Sequence, residues 1–193
     1  MIIGITGCSG SGKSTIADYI RSKGYEVIDA DKVAKEIRPQ YIDDIVKLFG
    51  EEILTDGQFD NKKLALLVFE DYWKRQKLNH IMFPPIVTRL KEMVKGKRGM
   101  IFIDIPVLFG SGSEPMFDAI ILVACDIDVR IQRLIEGRKL DPEVAKKQAL
   151  AVNITYTNAA MCDLVLWTDH DEPKTIERKI DEWIVSKNAG HLL

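Results

Sequence analysis

The sequence predicts an α/β fold in which a five-stranded, mainly parallel sheet is flanked by helices and carries an inserted helical region and a helical hairpin. Three observations lead there. Short β-branched apolar runs alternate with longer helical patterns, as in chains built from βα units. Each run is apolar almost throughout, as strands covered on both faces must be. Two helical stretches are longer than a crossover between parallel strands requires.

The elements follow in order. Residues 1–6 (Met-Ile-Ile-Gly-Ile-Thr) read as a buried strand, and 25–30, 100–105, 119–124 and 164–167 repeat that character. Helical spacing runs over 13–22, 32–36, 41–49, 61–69, 74–95, 127–136, 142–152 and 173–187. Between the second and third strands lie about seventy residues of helical pattern, too many for a connection alone. Residues 130–157, helical and rich in cations, separate the fourth strand from the fifth. No Pro-, Gly- or Ser-rich linker divides the chain, so these stretches read as outgrowths of a single domain.

Composition narrows the function classes. The chain has 193 residues, 46% of them apolar, which suits one domain with a full core. Its formal net charge of −2 argues against a dedicated nucleic-acid binder. A phosphate-bearing substrate must then meet local cations, because the global field does not attract it. No apolar run reaches the length of a membrane span, and the start lacks the charged segment of a signal peptide. Cys8, Cys125 and Cys162 are odd in number and widely spaced, which suggests neither a disulfide framework nor a zinc site. A cytoplasmic protein without an obligatory protein partner is expected.

Gly7-Cys8-Ser9-Gly10-Ser11-Gly12-Lys13-Ser14 fits G-x-x-x-x-G-K-[ST] at every fixed position, between an apolar strand and an amphipathic helix. Glycines let the backbone curl around phosphate oxygens and turn successive N–H groups inward. The helix starting at Lys13 adds the positive end of its dipole. Lys13 is placed to meet the β- and γ-phosphates, and the Ser14 hydroxyl to bind magnesium. The expected ligands are therefore ATP and Mg²⁺, and the expected fold is that of P-loop NTPases. No N-K-x-D motif follows, against a GTPase, and no L-S-G-G-Q, against an ABC ATPase. A small-molecule kinase is the reading left.

Two carboxylate positions are candidates for chemistry. Asp29-Ala30-Asp31 closes the second strand, where ligands gather in open α/β sheets. Asp31 can take a proton from an attacking hydroxyl, or it can cap the helix that follows. Asp104 ends the third strand and is placed either to hold magnesium through a water or to cap a turn.

Taken together, these segments resemble the dephospho-CoA kinase family. The match runs through Ile5-Thr6-Gly7, Gly10-Ser11-Gly12-Lys13-Ser14-Thr15 and Val27-Ile28-Asp29-Ala30-Asp31-Lys32-Val33-Ala34. It continues through Phe49-Gly50-Glu51-Glu52-Ile53-Leu54, Asp56-Gly57, Leu64, Val68-Phe69 and Asp104-Ile105-Pro106-Val107-Leu108-Phe109. The resemblance implies phosphorylation of the ribose 3′-hydroxyl of dephospho-CoA by ATP. It implies a nucleotide-binding core (1–38, 99–128, 158–193), a helical acceptor subdomain (39–98) and a lid (129–157). It makes Asp31 the catalytic base, Arg138 a cation for the transition state, and Gly7, Ser9, Gly10, Ser11, Gly12, Lys13, Ser14 and Thr15 the nucleotide contacts, with Ser14 and Asp104 on the metal.

The chain departs from the family pattern on the acceptor side. Phe83-Pro84 stands where the family has His-Pro, with His80 three residues earlier, and Gly110 replaces an acidic or amide residue. Arg133 and Arg138 match lid arginines, but Lys139 stands for an Asp, Gln148 for a second lid Arg, and Val152-Asn153 for Ala-Gln. Lys146 or Lys147 can supply charge there but not a bidentate fork. A nucleoside monophosphate kinase or related small-molecule kinase is the alternative, with Arg38, Arg75, Arg89 and Arg98 scattered through the acceptor region. A nucleotide-binding protein without catalysis is the third reading, disfavoured by the presence of Lys13, Ser14 and Asp31 together.

Overall fold

The computed structural model describes residues 1–151 and 156–189. Seven strands and nine helices are found among them: β1 Ile2–Thr6, α1 Lys13–Ser22, β2 Glu26–Asp29, α2 Ala30–Ile37, α3 Ile42–Phe49, β3 Leu54–Thr55, β4 Gln58–Phe59, α4 Asn61–Glu70, α5 Tyr72–Val94, β5 Ile101–Asp104, β6 Ala119–Ala124, α6 Ile127–Arg138, α7 Pro142–Leu150, α8 Tyr156–Ala160, β7 Leu164–Trp167 and α9 Pro173–Ala189. Five strands form one parallel sheet in the order β2-β5-β1-β6-β7, as expected. Strand β1 lies at its centre, with Ile3 opposite Phe102 on one side and Ala119 on the other. From β1 the chain passes to β2 beyond β5, whereas β6 and β7 extend the opposite side. The carboxyl end of β1 is thus the switch point at which open α/β sheets hold ligands.

The strand interiors are mostly apolar because helices cover both faces of the sheet. On one face Ile16, Ala17 and Ile20 of α1 and Ile176, Ile180 and Ile184 of α9 pack on Ile3, Ile5, Phe102, Ile121 and Leu166. The four-residue spacing along α9 is a helix stripe turned to the sheet. On the other face Val33 and Ile37 of α2 and Ile86, Leu90 and Val94 of α5 meet Ile28, Ile101 and Ile103. Helices α6 and α7 pack on each other through a small core of their own, Leu134, Ala145 and Ala149.

Two details differ from the sequence expectation. Helix α2 begins at Ala30, two residues early, because Asp29 ends β2 and caps the helix. Strands β3 and β4 form a hairpin across Asp56 and Gly57, both at positive φ (51° and 74°). An Asp-Gly pair between short runs is a signal for such a turn. Helix α5, by contrast, runs through Pro84 and Pro85 as the spacing over 74–95 predicts, although each proline inside a helix costs about 3 kcal/mol. Burial of Met82, Ile86, Val87, Leu90 and Val94 on the same helix offsets that cost. Since proline has no N–H, the carbonyls of His80 and Ile81 receive no helical hydrogen bond. Val152 and Asn153 lie outside the described residues.

Candidate functional site

The loop from Gly7 to Gly12 is shaped by what surrounds it. A Cβ on Gly7 would lie 2.5 Å from the Val123 carbonyl oxygen of β6. A Cβ on Gly10, at φ 82°, would lie 2.7 Å from the Arg130 carbonyl of α6. The loop is thus pressed between β6 and α6, and only glycine fits at these points. The Ser11 N–H donates to the Cys8 carbonyl at 3.1 Å, closing a turn. Gly12 is the N-cap of α1 and offers no side chain, so the first N–H groups of that helix are left for an anion.

A cleft of about 510 Å³ opens over this loop. Gly7, Ser9, Gly10, Ser11, Gly12, Lys13 and Ser14 line it, facing Asp29, Asp31, Asp104, Arg138 and Gln148. Thr15 is exposed on the first turn of α1, outside this lining. The Ser11 hydroxyl points inward and is buried, while the Ser11 carbonyl accepts from Thr168 Oγ1 at 2.7 Å. Lys13 donates to Asp104, and both side chains are mostly buried. Ser14, Asp29, Asp31 and Asp104 offer only oxygen to the cleft, a donor set that suits a hard cation such as Mg²⁺.

The two roles open for Asp31 separate here. Asp29 Oδ1 accepts the Lys32 N–H at 3.1 Å, so Asp29 caps α2. Asp31 sits one turn position inside the helix with its carboxylate open to the cleft. The crowding of the cleft wall strips water from that carboxylate and raises its pKa. Lys13 opposes the rise, and the nearby charges of Asp29 and Asp104 add to it.

The α6–α7 hairpin reaches the same cleft. Arg138, at the end of α6, lines it. Gln148 of α7 donates from Nε2 to Ser9 Oγ at 2.9 Å, at the apex of the loop. Arg133 faces elsewhere: it donates to Thr168 Oγ1 at 2.7 Å and to the Thr168 carbonyl at 2.9 Å. Through Thr168 and the Ser11 carbonyl, Arg133 braces the loop from outside the cleft. Sequence reasoning passed over Arg130, which is 6% exposed and donates from Nη1 to the Ala149 carbonyl at 3.1 Å. Its spacing of four from the buried Leu134, on one helix face, was the available signal.

Beyond the cleft, the segment after Asp104 runs to a groove where Gly110, Ser111 and Gly112 face Gln76, Asn79, His80, Phe83 and Pro84. His80 is exposed and shares that groove with Phe83. A larger hollow of about 710 Å³ lies between α2 and α5, lined by Ile37, Tyr41, Ile81, Pro84, Pro85 and Arg89 among others. Three of the four scattered arginines have separate partners. Arg38 donates to Asn61 at 2.9 Å, Arg75 lies over the Tyr72 ring, and Arg89 pairs with Glu36 and Glu92.

Comparison with known proteins agrees along most of the chain. The profile of the family described as dephospho-CoA kinase matches residues 1–173. A dephospho-CoA kinase from Fusobacterium nucleatum is 42% identical over 151 residues, 76% of this chain and 78% of that protein. One from Bacillus licheniformis is 34% identical over 195 residues, 95% of this chain and 96% of its own. The crystal structure of a Thermus thermophilus protein superposes with a TM-score of 0.82 at 29% identity, covering 97% of each chain.

Proposed function

The chain belongs to the dephospho-CoA kinase family, a family of ATP- and Mg²⁺-dependent phosphotransferases, and on that premise we propose how its own residues carry the reaction. Lys13 and the N–H groups of Gly10–Ser14 hold the β- and γ-phosphates of ATP. Ser14 and Asp104 would hold the magnesium, which would supply positive charge to the phosphates. Asp31 accepts the proton of the ribose 3′-hydroxyl as its oxygen bonds to the γ-phosphorus and the bond to the ADP oxygen breaks. Arg138 faces the oxygens of the phosphoryl group in transit. Lys13 exchanges its bond to Asp104 for the phosphates as ATP enters.

The observation that carries this reading is the division of labour between two aspartates. Asp29 caps α2, leaving Asp31 beside Lys13 and Asp104 with a raised pKa, as suits a base. On the acceptor side we propose that residues 39–98 form the acceptor subdomain, with the groove of His80, Phe83 and Gly110 continuing from the cleft. Residues 129–157 are proposed to act as a lid over the nucleotide, and 1–38, 99–128 and 158–193 as the core. The family match along most of the chain supports dephospho-CoA over a nucleoside monophosphate as the acceptor.

A coupled ADP-release assay with Mg–ATP against dephospho-CoA and a panel of nucleoside monophosphates tests this. Turnover is expected with dephospho-CoA alone. Turnover with a monophosphate and none with dephospho-CoA would overturn the assignment of the acceptor side.

A further inference from the structure

Arg130 is a buried cation with no role in the chemistry above. It is 6% exposed, and its Nε has no hydrogen-bond partner among the described residues. Its one acceptor there is the Ala149 carbonyl, in the last turn of α7, at 3.1 Å. An arginine in that position caps the negative end of the α7 dipole, but one carbonyl does not cancel a full charge out of water. Two contacts tie Arg130 and the end of α7 that it holds to the phosphate loop. The residue before Ala149 is Gln148, which holds Ser9 from the far side. The backbone of Arg130 itself lies against Gly10, with its carbonyl, Cα and Cβ all within 3.1 Å of where a Cβ on Gly10 would stand.

The loop apex, Ser9-Gly10, is therefore gripped between α7 and α6, and Arg130 links the two grips. We propose that Arg130 is a positioning residue for the ATP phosphates: it fastens the end of α7 to α6 so that Gln148 and Gly10 keep the loop in its anion-binding shape. Its charge, met by a single carbonyl among the described residues, further favours a triphosphate in the adjoining cleft. The cation absent at position 148 is thus supplied from the neighbouring helix, from behind the loop. The inference rests on the donor-site reading.

The test compares Arg130→Met, which keeps the apolar length, with Arg130→Lys, which keeps the charge. Arg130→Met is expected to raise the KM for ATP about tenfold, with kcat at saturating ATP and the KM for dephospho-CoA nearly unchanged. Arg130→Lys is expected to recover most of the ATP affinity. An unchanged KM for ATP would overturn the proposal. So would a joint loss of kcat and of both affinities with a lowered Tm, which marks a packing role. If Arg130→Met does not fold, the wild-type protein gives the answer through the ¹⁵N signal of Arg130 Nε. That signal is expected to shift on addition of Mg–AMP-PNP, and a signal that stays in place while the analogue binds would overturn the proposal. Failure of wild-type protein to bind the analogue at all would instead contradict the donor site.

Discussion

The donor and acceptor sides of the cleft are built by different means. The donor side is mostly backbone: a strand, a glycine-bearing turn and a helix start, locked by β6 at Gly7 and by α6 at Gly10. The proposed acceptor side is mostly side chain, presented by α5 and by the segment that follows Asp104. Backbone sites demand glycine and a fixed spacing, so they are written plainly in sequence. Side-chain sites depend on which helices pack together, and several residue types can line the same groove. The difference explains why the chain keeps every fixed position of the phosphate loop but carries Phe83 and Gly110 on the other side.

Substitutions on each side should therefore move different constants. Lys13→Ala should have the largest effect, lowering turnover roughly 10³-fold with any acceptor, because it removes charge from the transferring phosphate. An effect confined to one acceptor, in steady-state kinetics, would contradict its place on the donor side. His80→Ala should raise the KM for dephospho-CoA by about two- to tenfold, the worth of one hydrogen bond, and leave the KM for ATP alone. The opposite pattern would remove the groove from the acceptor path. Asp71→Ala should have the smallest effect on activity. Asp71 caps α5 through the N–H groups of Trp73 at 2.8 Å and Lys74 at 3.0 Å. Losing it should cost about 1 kcal/mol of stability in urea unfolding, with the KM for ATP unchanged.

The same contrast governs what could be read beforehand. The five parallel strands and the helices on both faces were legible because their apolar runs and stripes are local patterns. The phosphate loop was legible for the same reason. Which aspartate caps α2 was not, since Asp29 and Asp31 both precede helical residues and only the strand's actual end decides between them. Nor could spacing show that Arg133 turns to Thr168 while Arg138 turns to the cleft. Five residues apart on one helix, they point in different directions, and the packing of α6 on the loop sets which is which. Arg130 escaped notice because charged residues are seldom buried. Helix α5 was legible from its spacing even though it carries two prolines, and apolar burial holds it there against local preference.

Asp31 carries the central claim, and its titration gives the claim a direction. Burial and neighbouring carboxylates raise its pKa above the ordinary carboxylate value of 3.8, with Lys13 opposing. Its folded-state pKa lies above that of the unfolded chain, so the stability it contributes is present at low pH and is lost as pH rises through the folded value. At neutral pH Asp31→Asn should therefore leave Tm unchanged or slightly raised while removing the proposed base.

The most direct measurement is kcat against pH at saturating Mg–ATP and dephospho-CoA, for wild type and Asp31→Asn. Wild type should lose activity on acidification with a midpoint above 3.8. Asp31→Asn should be slower by about 10² or more on the plateau, should lack that limb, and should bind ATP nearly as before. A variant with wild-type turnover and an intact acidic limb would show that Asp31 is not the base.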